Sequence, residues 1–244
     1  MLQVERQEEI LQLLKSHQAL RVSQLAKLLY TSEATVRRDL AALERDGSVR
    51  RVFGGVVAVQ EQLPLDFRRQ KNAAAKEEIA RRAAAMVADG ETVFLDASST
   101  ALHLLPYLLK KKELTVVTNS HRVVEQARES KARVFCTGGE LSRRNFAFVG
   151  RGAERAVAAF HPDTVFFSSQ GVSEDGDITD SSQEETDLRL AAIAAGGRKV
   201  FLCDSGKVGK SYLFRLCRIS DVDAVVADGD FPAALLAGKG VKNG

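Results

Sequence analysis

Apolar residues recur at helical spacing in three stretches near the start of the chain. Residues three and four apart share one face of a helix, so this periodicity predicts three consecutive helices. The first covers roughly residues 3–16, and the third runs from Ser32, its expected N-cap, to about Arg45. Ser23 is the expected N-cap of the short helix between them, because a serine hydroxyl can accept from the free amides of a first turn.

Two runs rich in β-branched residues follow the third helix, at positions 49–53 and 56–59. Gly54 and Gly55 join them, which predicts a β-hairpin. The tight Thr31-Ser32 junction makes the second and third helices a helix-turn-helix, and the hairpin is then its wing. We expect a winged helix-turn-helix DNA-binding domain over residues 1–59.

From about Lys76 onward, the pattern changes to short apolar runs that end in small polar residues and lead into helices. This alternation is typical of βαβ units and predicts an α/β domain with a mostly parallel sheet. The predicted strands occupy residues 92–96, 114–118, 133–136, 164–167, 199–203 and 223–227. We expect a linker over residues 60–75, which contains Pro64, and the α/β domain over residues 76–244.

The third predicted helix has one apolar face and one face that suits a DNA groove. Val36, Leu40 and Leu43 fall on the first face, while small residues and arginines fall on the second. Small side chains let a helix sit deep in the major groove, where arginine can contact guanine, and hairpin arginines are available for phosphates. Solvated surface arginines are the alternative, which the ordered series of motifs disfavours. The candidate DNA-binding residues are Ser32, Thr35, Arg37, Arg38, Arg50 and Arg51.

Polar residues follow most of the predicted strands at their carboxyl ends, where open α/β sheets bind ligands. Residues 98–100 precede a predicted helix, and hydroxyls and free amides at a helix N-terminus suit a phosphate. Lys207 can add a positive charge, and the carboxylates of Asp96 or Asp204 can bind sugar hydroxyls. The simpler alternatives are helix caps and a surface lysine. The candidate effector-binding residues are Asp96, Ser98, Ser99, Thr100, Asn119, Ser120, Gly138, Gly139, Gly171, Asp204 and Lys207.

Composition and charge indicate a globular protein and give no sign of a membrane span or a secretory signal. Apolar residues make up 45% and charged residues 27%, an ordinary globular balance. No apolar run approaches the roughly 18 residues of a membrane span. The formal net charge is only +3, so basic groups that bind nucleic acid must be concentrated locally. The first residues carry acids and no apolar core, unlike a secretory signal, so the expected compartment is the cytoplasm.

The cysteines and histidines indicate neither a disulfide framework nor a metal site. Cys136, Cys203 and Cys217 are a sparse, odd-numbered set without a C-x-x-C motif, and we expect buried thiols. The four histidines show no metal-ligand spacing. We therefore expect no metal and no cofactor.

Several elements of the chain match one known signature. In the first domain they are Ser32, Thr35-Val36-Arg37-Arg38-Asp39-Leu40, Leu43-Glu44, Gly47 and Arg51-Val52-Phe53-Gly54-Gly55. In the second they are Asp96-Ala97-Ser98-Ser99-Thr100, Thr118-Asn119-Ser120, Gly138-Gly139 and Asp204-Ser205-Gly206-Lys207. These elements resemble the signature of DeoR-family transcription regulators, although Ser98 stands where many members have glycine. The resemblance implies a sensor domain similar to ribose-5-phosphate isomerase and a phosphorylated sugar as effector.

The expected function is that of a DNA-binding transcriptional regulator, a repressor of sugar-metabolism genes that a phosphorylated sugar controls. Expected partners are a double-stranded DNA operator, the phosphorylated sugar and further copies of the chain in a dimer or tetramer, with no membrane. One alternative is a sugar-phosphate isomerase-like enzyme with an attached DNA-binding module, although no paired catalytic base has independent support. Another is a DNA-binding protein whose second domain only oligomerises.

Overall fold

The computed structural model describes residues 2–16, 20–45, 48–52, 55–58, 65–229, 231–236 and 242–243. The chain divides into two units, Met1–Phe67 and Arg68–Gly244. The division falls inside the predicted linker, and the described part of that linker is largely helical. The domain boundaries stated above stay a prediction.

The first unit contains the three helices and the hairpin that the apolar periodicity predicts. They are α1 (Gln3–Ser16), α2 (Val22–Leu28), α3 (Glu33–Arg45), β1 (Val49–Val52) and β2 (Gly55–Ala58). The core of this unit gathers the apolar stripe of each helix, with Ile10, Leu25, Val36 and Leu40 almost fully buried. β1 and β2 pair antiparallel, as a wing requires.

The two expected N-caps have different outcomes. Ser32 caps α3, because its Oγ accepts from the Thr35 amide at 3.2 Å. The prediction for Ser23 was wrong, since α2 begins at Val22 with Arg21 at the N-cap position, and Ser23 lies inside the helix. The side chain of Gln24, within the first turn of α2, accepts at Oε1 from the backbone N–H of Arg21 at 2.8 Å. This hydrogen bond stabilises the beginning of the helix.

One glycine of the hairpin is required by a close approach of two backbone segments. Leu20 and Val56 exchange backbone hydrogen bonds of 3.0 and 2.9 Å, which ties the start of the second helical region to β2. A Cβ at Gly55 would stand 2.7 Å from the Leu20 carbonyl oxygen. A larger residue there would push the wing away from the helices.

The second unit alternates helices and strands. Its helices, together with the one that crosses the division, are α4 (Leu65–Gln70), α5 (Ala73–Ala84), α6 (Ser99–Leu108), α7 (His121–Ala127), α8 (Arg151–Ala158), α9 (Gln183–Ala195) and α10 (Ala233–Leu236). Its strands are β3 (Thr92–Leu95), β4 (Thr115–Thr118), β5 (Arg133–Cys136), β6 (Glu140–Ser142), β7 (Ala147–Val149), β8 (Thr164–Phe167), β9 (Gly171–Val172), β10 (Asp177–Asp180), β11 (Arg198–Cys203), β12 (Phe214–Arg218), β13 (Ala224–Ala227) and β14 (Lys242–Asn243).

Seven strands form one parallel sheet in the order β14-β13-β11-β8-β3-β4-β5. The six predicted strands are all in it, so the mostly parallel α/β fold is confirmed. The first strand of this sheet along the chain is β3, which lies near its middle. The next two strands, β4 and β5, extend the sheet to one edge, and β8 then pairs with the other side of β3. Ligands of doubly wound sheets bind at this reversal, outside the carboxyl ends of the strands.

Two small antiparallel additions lie beside this sheet. One is a three-stranded sheet in the order β12-β10-β9, and the other is the hairpin of β6 and β7. The apolar pattern did not predict either of them, because their strands are short and partly polar. Both bring residues toward the carboxyl edge of the main sheet, as described below.

The central strands are buried on both faces, with Phe94, Phe166 and Phe201 fully inaccessible. The expectation of buried thiols holds for Cys203, whereas Cys217 is only half-buried. It is wrong for Cys136, which is exposed because β5 is the edge strand of the sheet. Burial raises the pKa of Cys203 to about 12. Within the described ranges, no helix has the length and apolar character to cross a membrane.

Candidate functional site

Helix α3 presents two chemically different faces. Val36, Leu40 and Leu43 are buried, as predicted. The opposite side is exposed and combines small residues with arginines; its members are Ala34, Arg37, Arg38, Ala41 and Arg45. This is the combination that lets a helix enter the major groove and read base edges.

Asp39 is part of the buried face, although it lies between Arg38 and Leu40 in the matched motif. Its side chain is 1% exposed, and Arg6 of α1 holds it with two hydrogen bonds of 2.5 and 3.2 Å. The hydrogen bond to Asp39 raises the pKa of Arg6. Asp39 therefore joins α1 to α3 and does not present its charge on the face that suits DNA.

The six candidate DNA-binding residues differ in the hydrogen bonds and ion pairs that their side chains form. Ser32 and Thr35 form the cap of α3, with 2.9 Å between their hydroxyl oxygens. Arg37 pairs with Glu33 at 3.0 Å along the exposed surface. Arg38 is exposed and has no hydrogen bond or ion pair in the part of the chain that the structure describes. Arg50 and Arg51 lie in β1, and their side chains are outside the described residues.

The candidate effector residues of the second unit gather at the carboxyl edge of the parallel sheet. Leu95 pairs with Phe166 on one side and with Thr118 on the other, and Thr118 pairs in turn with Cys136. The loops after β3, β4, β5 and β8 therefore leave the sheet at one level. The reversal between β3 and β8 lies at the centre of this edge.

Lys207 connects several of these loops. Its Nζ donates to Ser168 Oγ at 2.6 Å and lies 3.4 Å from Asp204 Oδ2. Asp204 Oδ1 accepts from Asn72 Nδ2 at 2.8 Å. Burial by itself would raise the pKa of Asp204, but the charge of Lys207 and the hydrogen bond from Asn72 bring the pKa below its usual value. Ser168 and Asp204 thus fix the Lys207 side chain at the carboxyl edge of the sheet, unlike a free surface lysine.

Asp96 organises the loops on either side of the reversal. Its Oδ2 accepts from Arg189 Nε at 2.8 Å and from the Ser168 amide at 3.1 Å, and its Oδ1 accepts from the Ser98 amide at 3.1 Å. The side chain is 1% exposed. Asp96 therefore shapes the site, since its oxygens are already engaged by the protein.

Arg189 lies under this edge and faces three carboxylates. Besides Asp96, it donates to Asp180 at 2.9 Å and to Glu185 at 2.8 Å. Burial favours the neutral guanidine, but the three carboxylates outweigh it and raise the pKa of Arg189. Burial also raises the pKa of Glu185. Such a cluster stays folded because each charge has hydrogen-bonding partners.

The cluster extends to the beginning of the second unit. Asn145, in the turn between β6 and β7, donates to Glu185, and Arg68 donates to Asn145 Oδ1 at 2.6 Å. Lys76 is also buried and donates to the backbone carbonyls of Arg68 and Lys71. Burial, together with the nearby charge of Lys207, lowers the pKa of Lys76 to about 7.

Some polar side chains that follow β3 and β4 cap helices, whereas others are buried without a hydrogen-bond partner among the described residues. Ser98 caps α6 by accepting from the Ala101 amide at 3.1 Å, and Ser120 caps α7 by accepting from the Val123 amide at 3.3 Å. Thr100 Oγ1 and Asn119 Oδ1 are buried, yet neither has a hydrogen-bond partner among the described residues. Asn119 Nδ2 donates to the Phe148 carbonyl at 3.1 Å, which directs the amide oxygen away from that contact.

The candidate glycines are required by the conformation and packing of the backbone. Gly138 and Gly139 have φ values of +62° and +113°, and a Cβ on Gly139 would stand 2.7 Å from the Val149 carbonyl oxygen. Gly171 belongs to β9, where a Cβ would stand 2.4 Å from the Lys210 carbonyl oxygen. Gly139 and Gly171 therefore let backbone segments approach closely, which a side chain would prevent, whereas Gly138 is favoured by its positive φ alone. Ser99 is buried at the first position of α6.

The structure joins Asp96, Ser98, Asp204 and Lys207 through Ser168, a residue absent from the candidates. Sequence reasoning also missed Lys76, Asn72 and Arg189. Only Arg189 had a signal, because it lies four residues after Glu185, but that spacing is equally typical of an exposed helical ion pair. Among the described residues, no group of His, Cys, Asp and Glu side chains could hold a metal ion.

Comparison with known proteins gives two family matches that follow the two units. Residues 6–62 match the DeoR-like helix-turn-helix domain, and residues 71–229 match the DeoR C terminal sensor domain. The chain is also similar to ribose 5-phosphate isomerase A from Methanocaldococcus jannaschii, with a TM-score of 0.42 and 16% identity, over 56% of this chain and 55% of that chain.

Two curated relatives match almost the whole chain. The HTH-type transcriptional regulator YulB of Bacillus subtilis, whose function is uncharacterised, is 31% identical over 97% of this chain and 93% of its own length. The transcriptional repressor AccR of Agrobacterium fabrum is 33% identical over 92% of this chain and 89% of its own length. The family consists of transcription regulators and not of enzymes, so the isomerase alternative is set aside. With a helix-turn-helix that binds DNA and a sensor domain that binds an effector, this chain belongs to the DeoR family of transcriptional regulators.

Proposed function

We propose that this regulator represses sugar-metabolism genes and that a phosphorylated sugar is its effector. The observation that carries the effector is the pair of buried oxygens, Thr100 Oγ1 and Asn119 Oδ1, which have no partner in the described structure. A buried polar atom without a hydrogen bond costs roughly 1–3 kcal/mol, so a ligand that supplies partners accounts for both atoms. The relative AccR is a transcriptional repressor, which supports the proposed direction of control.

The same edge offers groups for both parts of a sugar phosphate. Lys207 supplies a positive charge, and the first turn of α6 supplies backbone N–H groups that favour an anion. Thr100 can donate to or accept from the ligand, and Asn119 Oδ1 can accept from a sugar hydroxyl. In this proposal, Asp96, Ser98, Ser120 and the glycines hold the loops in place, and Lys207, Ser99, Thr100 and Asn119 contact the effector.

On DNA, we propose that Arg38 reads a base edge and that Arg50 and Arg51 contact phosphates. Arg38 is exposed on the groove-facing side of α3 and has no competing partner in the described ranges. Helix-turn-helix proteins bind two-fold symmetric sites as dimers, so we also propose a dimer or tetramer of this chain.

A ligand screen tests the proposed effector. The full chain is heated with pentose and hexose phosphates, with the corresponding free sugars, and with inorganic phosphate. A specific effector stabilises the folded protein in proportion to the logarithm of its concentration above Kd, so one sugar phosphate should raise the unfolding midpoint. The matching free sugar should act only at far higher concentration. If no sugar phosphate raises the unfolding midpoint, the proposed effector is wrong and the second unit has another role, such as oligomerisation alone.

The direction of control is tested with the same compounds on DNA. A duplex that the protein selects from a random-sequence library serves as the operator. Its affinity for the protein should fall in the presence of the stabilising sugar phosphate. An unchanged affinity would contradict control by that compound, and an increased affinity would contradict release from DNA by the effector.

A further inference from the structure

Tyr30 has a backbone conformation that its side chain disfavours. Its φ is +50°, the left-handed region that suits glycine or asparagine. The amide of Thr31 donates to the Ala26 carbonyl at 3.0 Å, and that of Tyr30 donates to the Lys27 carbonyl at 3.3 Å. This pair of bonds ends α2 in the motif whose left-handed position is most often glycine. A tyrosine at this position therefore strains the turn between the two DNA-binding helices.

Nothing in the described part of the first unit compensates for that strain. The residue is 97% exposed, so its ring gains no burial. Its hydroxyl has no hydrogen-bond partner among the described residues. Strained residues of this kind cluster at functional sites, where an external partner makes use of the side chain.

The surroundings of Tyr30 indicate the chemistry of that partner. A shallow concavity, wide open to solvent, lies at the turn and is lined by Ser23, Ala26, Lys27, Tyr30, Thr31, Ser32 and Glu33. Lys27 is an exposed cation on the last turn of α2, and the nearby Glu33 is paired with Arg37. A cation with several hydroxyls suits a phosphate group.

The orientation of a helix-turn-helix on DNA places this concavity against the sugar-phosphate backbone. When α3 lies in the major groove, the helix before it crosses the DNA backbone. The turn that carries Tyr30 connects these two helices, so it follows the same path. We propose that Tyr30 is a DNA-contacting residue whose phenolic O–H donates to a backbone phosphate held beside Lys27.

This contact has a distinctive thermodynamic signature. A phosphate contact carries no sequence information, so its loss affects operator and random DNA equally. A phenol is uncharged and releases no counterion, so its loss leaves the salt dependence of binding unchanged. Lys27 differs in this respect, because removing one cation from a phosphate lowers the salt slope by about one.

The test compares Tyr30→Phe, Tyr30→Gly and Lys27→Met in the full chain. Binding is measured by fluorescence anisotropy at several salt concentrations, on a mixed-sequence duplex and on a duplex that the wild type selects from a random library. Tyr30→Phe should bind both duplexes roughly ten- to a hundredfold more weakly, the loss expected for one hydrogen bond to a charged group, with the salt slope of the wild type. Lys27→Met should reduce that slope.

Tyr30→Gly separates the strain from the contact. Glycine relieves the left-handed backbone, so the unfolding midpoint should rise by about 2–4 °C while DNA binding weakens. Glu113→Gly is the matched control, because Glu113 is an exposed residue of the second unit with a φ of +52°. It should raise stability in the same way and leave the affinity for DNA unchanged.

Two results would overturn the proposal. If both Tyr30 variants bind both duplexes as the wild type does, the tyrosine is an exposed residue that DNA does not use. If Tyr30→Phe weakens binding to the selected duplex alone, the hydroxyl reads a base and not a phosphate.

Discussion

Arg38 and Asp39 are neighbours in the chain that face opposite sides of α3. Asp39 is buried against Arg6, whereas Arg38 is exposed beside the small residues of the groove-facing side. The two side chains therefore have separable effects. Substitution of Asp39 affects the packing of α1 on α3, and substitution of Arg38 affects contact with DNA.

Arg38→Ala should weaken operator binding by about 1–3 kcal/mol and relax the preference at one base pair, since a base-edge contact is lost. Arg51→Ala is the matched comparison, and it should weaken all sequences alike and lower the salt slope by about one. Both variants are titrated against a selected operator and random DNA. Equal losses on the two kinds of DNA for both variants would contradict base reading by Arg38.

Thr100 allows a second test at the scale of one residue. Thr100→Val removes a buried hydroxyl that has no described partner and keeps the shape of the side chain. The protein without effector should become more stable by roughly 1 kcal/mol, and the effector should bind more weakly because it loses a hydrogen bond. Thermal unfolding with and without the sugar phosphate measures both quantities. A loss of stability without effector would show that the hydroxyl has a partner inside the protein.

At the scale of elements, Lys76 of α5 secures the end of α4. Its Nζ donates to the carbonyls of Arg68 and Lys71, which a helix end otherwise leaves without partners. The ammonium group has little access to solvent, with Lys207 near it. The geometry of this helix junction is therefore linked to the protonation of one side chain.

That link predicts a pH dependence of stability. The pKa of Lys76 is about 7 in the folded chain, and an unfolded lysine has its ordinary value of 10.5. Between these values the unfolded chain binds more protons, so the contribution of Lys76 to stability rises as pH increases from about 7 to about 10. Below pH 7 both states are protonated and its contribution is constant.

The measurement is the difference between wild type and Lys76→Met in denaturant unfolding at several pH values. The difference should change over this pH range, with the wild type gaining stability relative to the variant toward higher pH. Parallel curves for the two proteins would mean that Lys76 titrates in the folded chain as it does in the unfolded chain.

At the scale of the whole molecule, the proposed effector site is connected to the first residues of the second unit. Asn72 donates to Asp204, and Asp204 pairs with Lys207. Arg68 reaches the Arg189 cluster through Asn145 and Glu185. Residues 68–72 directly follow the DNA-binding unit in the chain. An effector that changes the contacts of Lys207 thereby changes the surroundings of this segment.

Asn72→Gly should reduce the response of DNA binding to effector, because it removes the contact with Asp204 and keeps the left-handed backbone accessible. The ratio of operator affinities with and without sugar phosphate should approach one, while the affinity for effector alone changes little. Isothermal titration and anisotropy measure the two quantities separately. A variant with the wild-type ratio would show that coupling does not use this contact.

Lys207→Met serves as the comparison, since its defect should lie in binding and not in coupling. Loss of a charge-assisted contact should weaken effector binding by about ten- to a hundredfold and leave operator affinity without effector unchanged. If Lys207→Met responds at the same effector concentration as the wild type, Lys207 does not hold the phosphate.

The order and type of the main elements were predictable from the sequence. Helical and strand periodicity depend on neighbouring residues, so α1, α3 and the six predicted strands of the parallel sheet could be placed from local pattern alone. The arginine-bearing face of α3 follows from the same periodicity. Short, partly polar segments such as β6 and β9 could not be placed, since they have no apolar pattern of their own.

Only the tertiary structure decided which charged residues are internal. Arg6 and Asp39 are 33 positions apart, and Asp96 and Arg189 are 93 positions apart, so no local pattern links them. The same holds for Cys136, which is exposed because β5 ends the sheet. Local sequence determines what an element is, but the burial of a polar side chain depends on the partners that folding brings to it, because a charge stays inside only where it is paired.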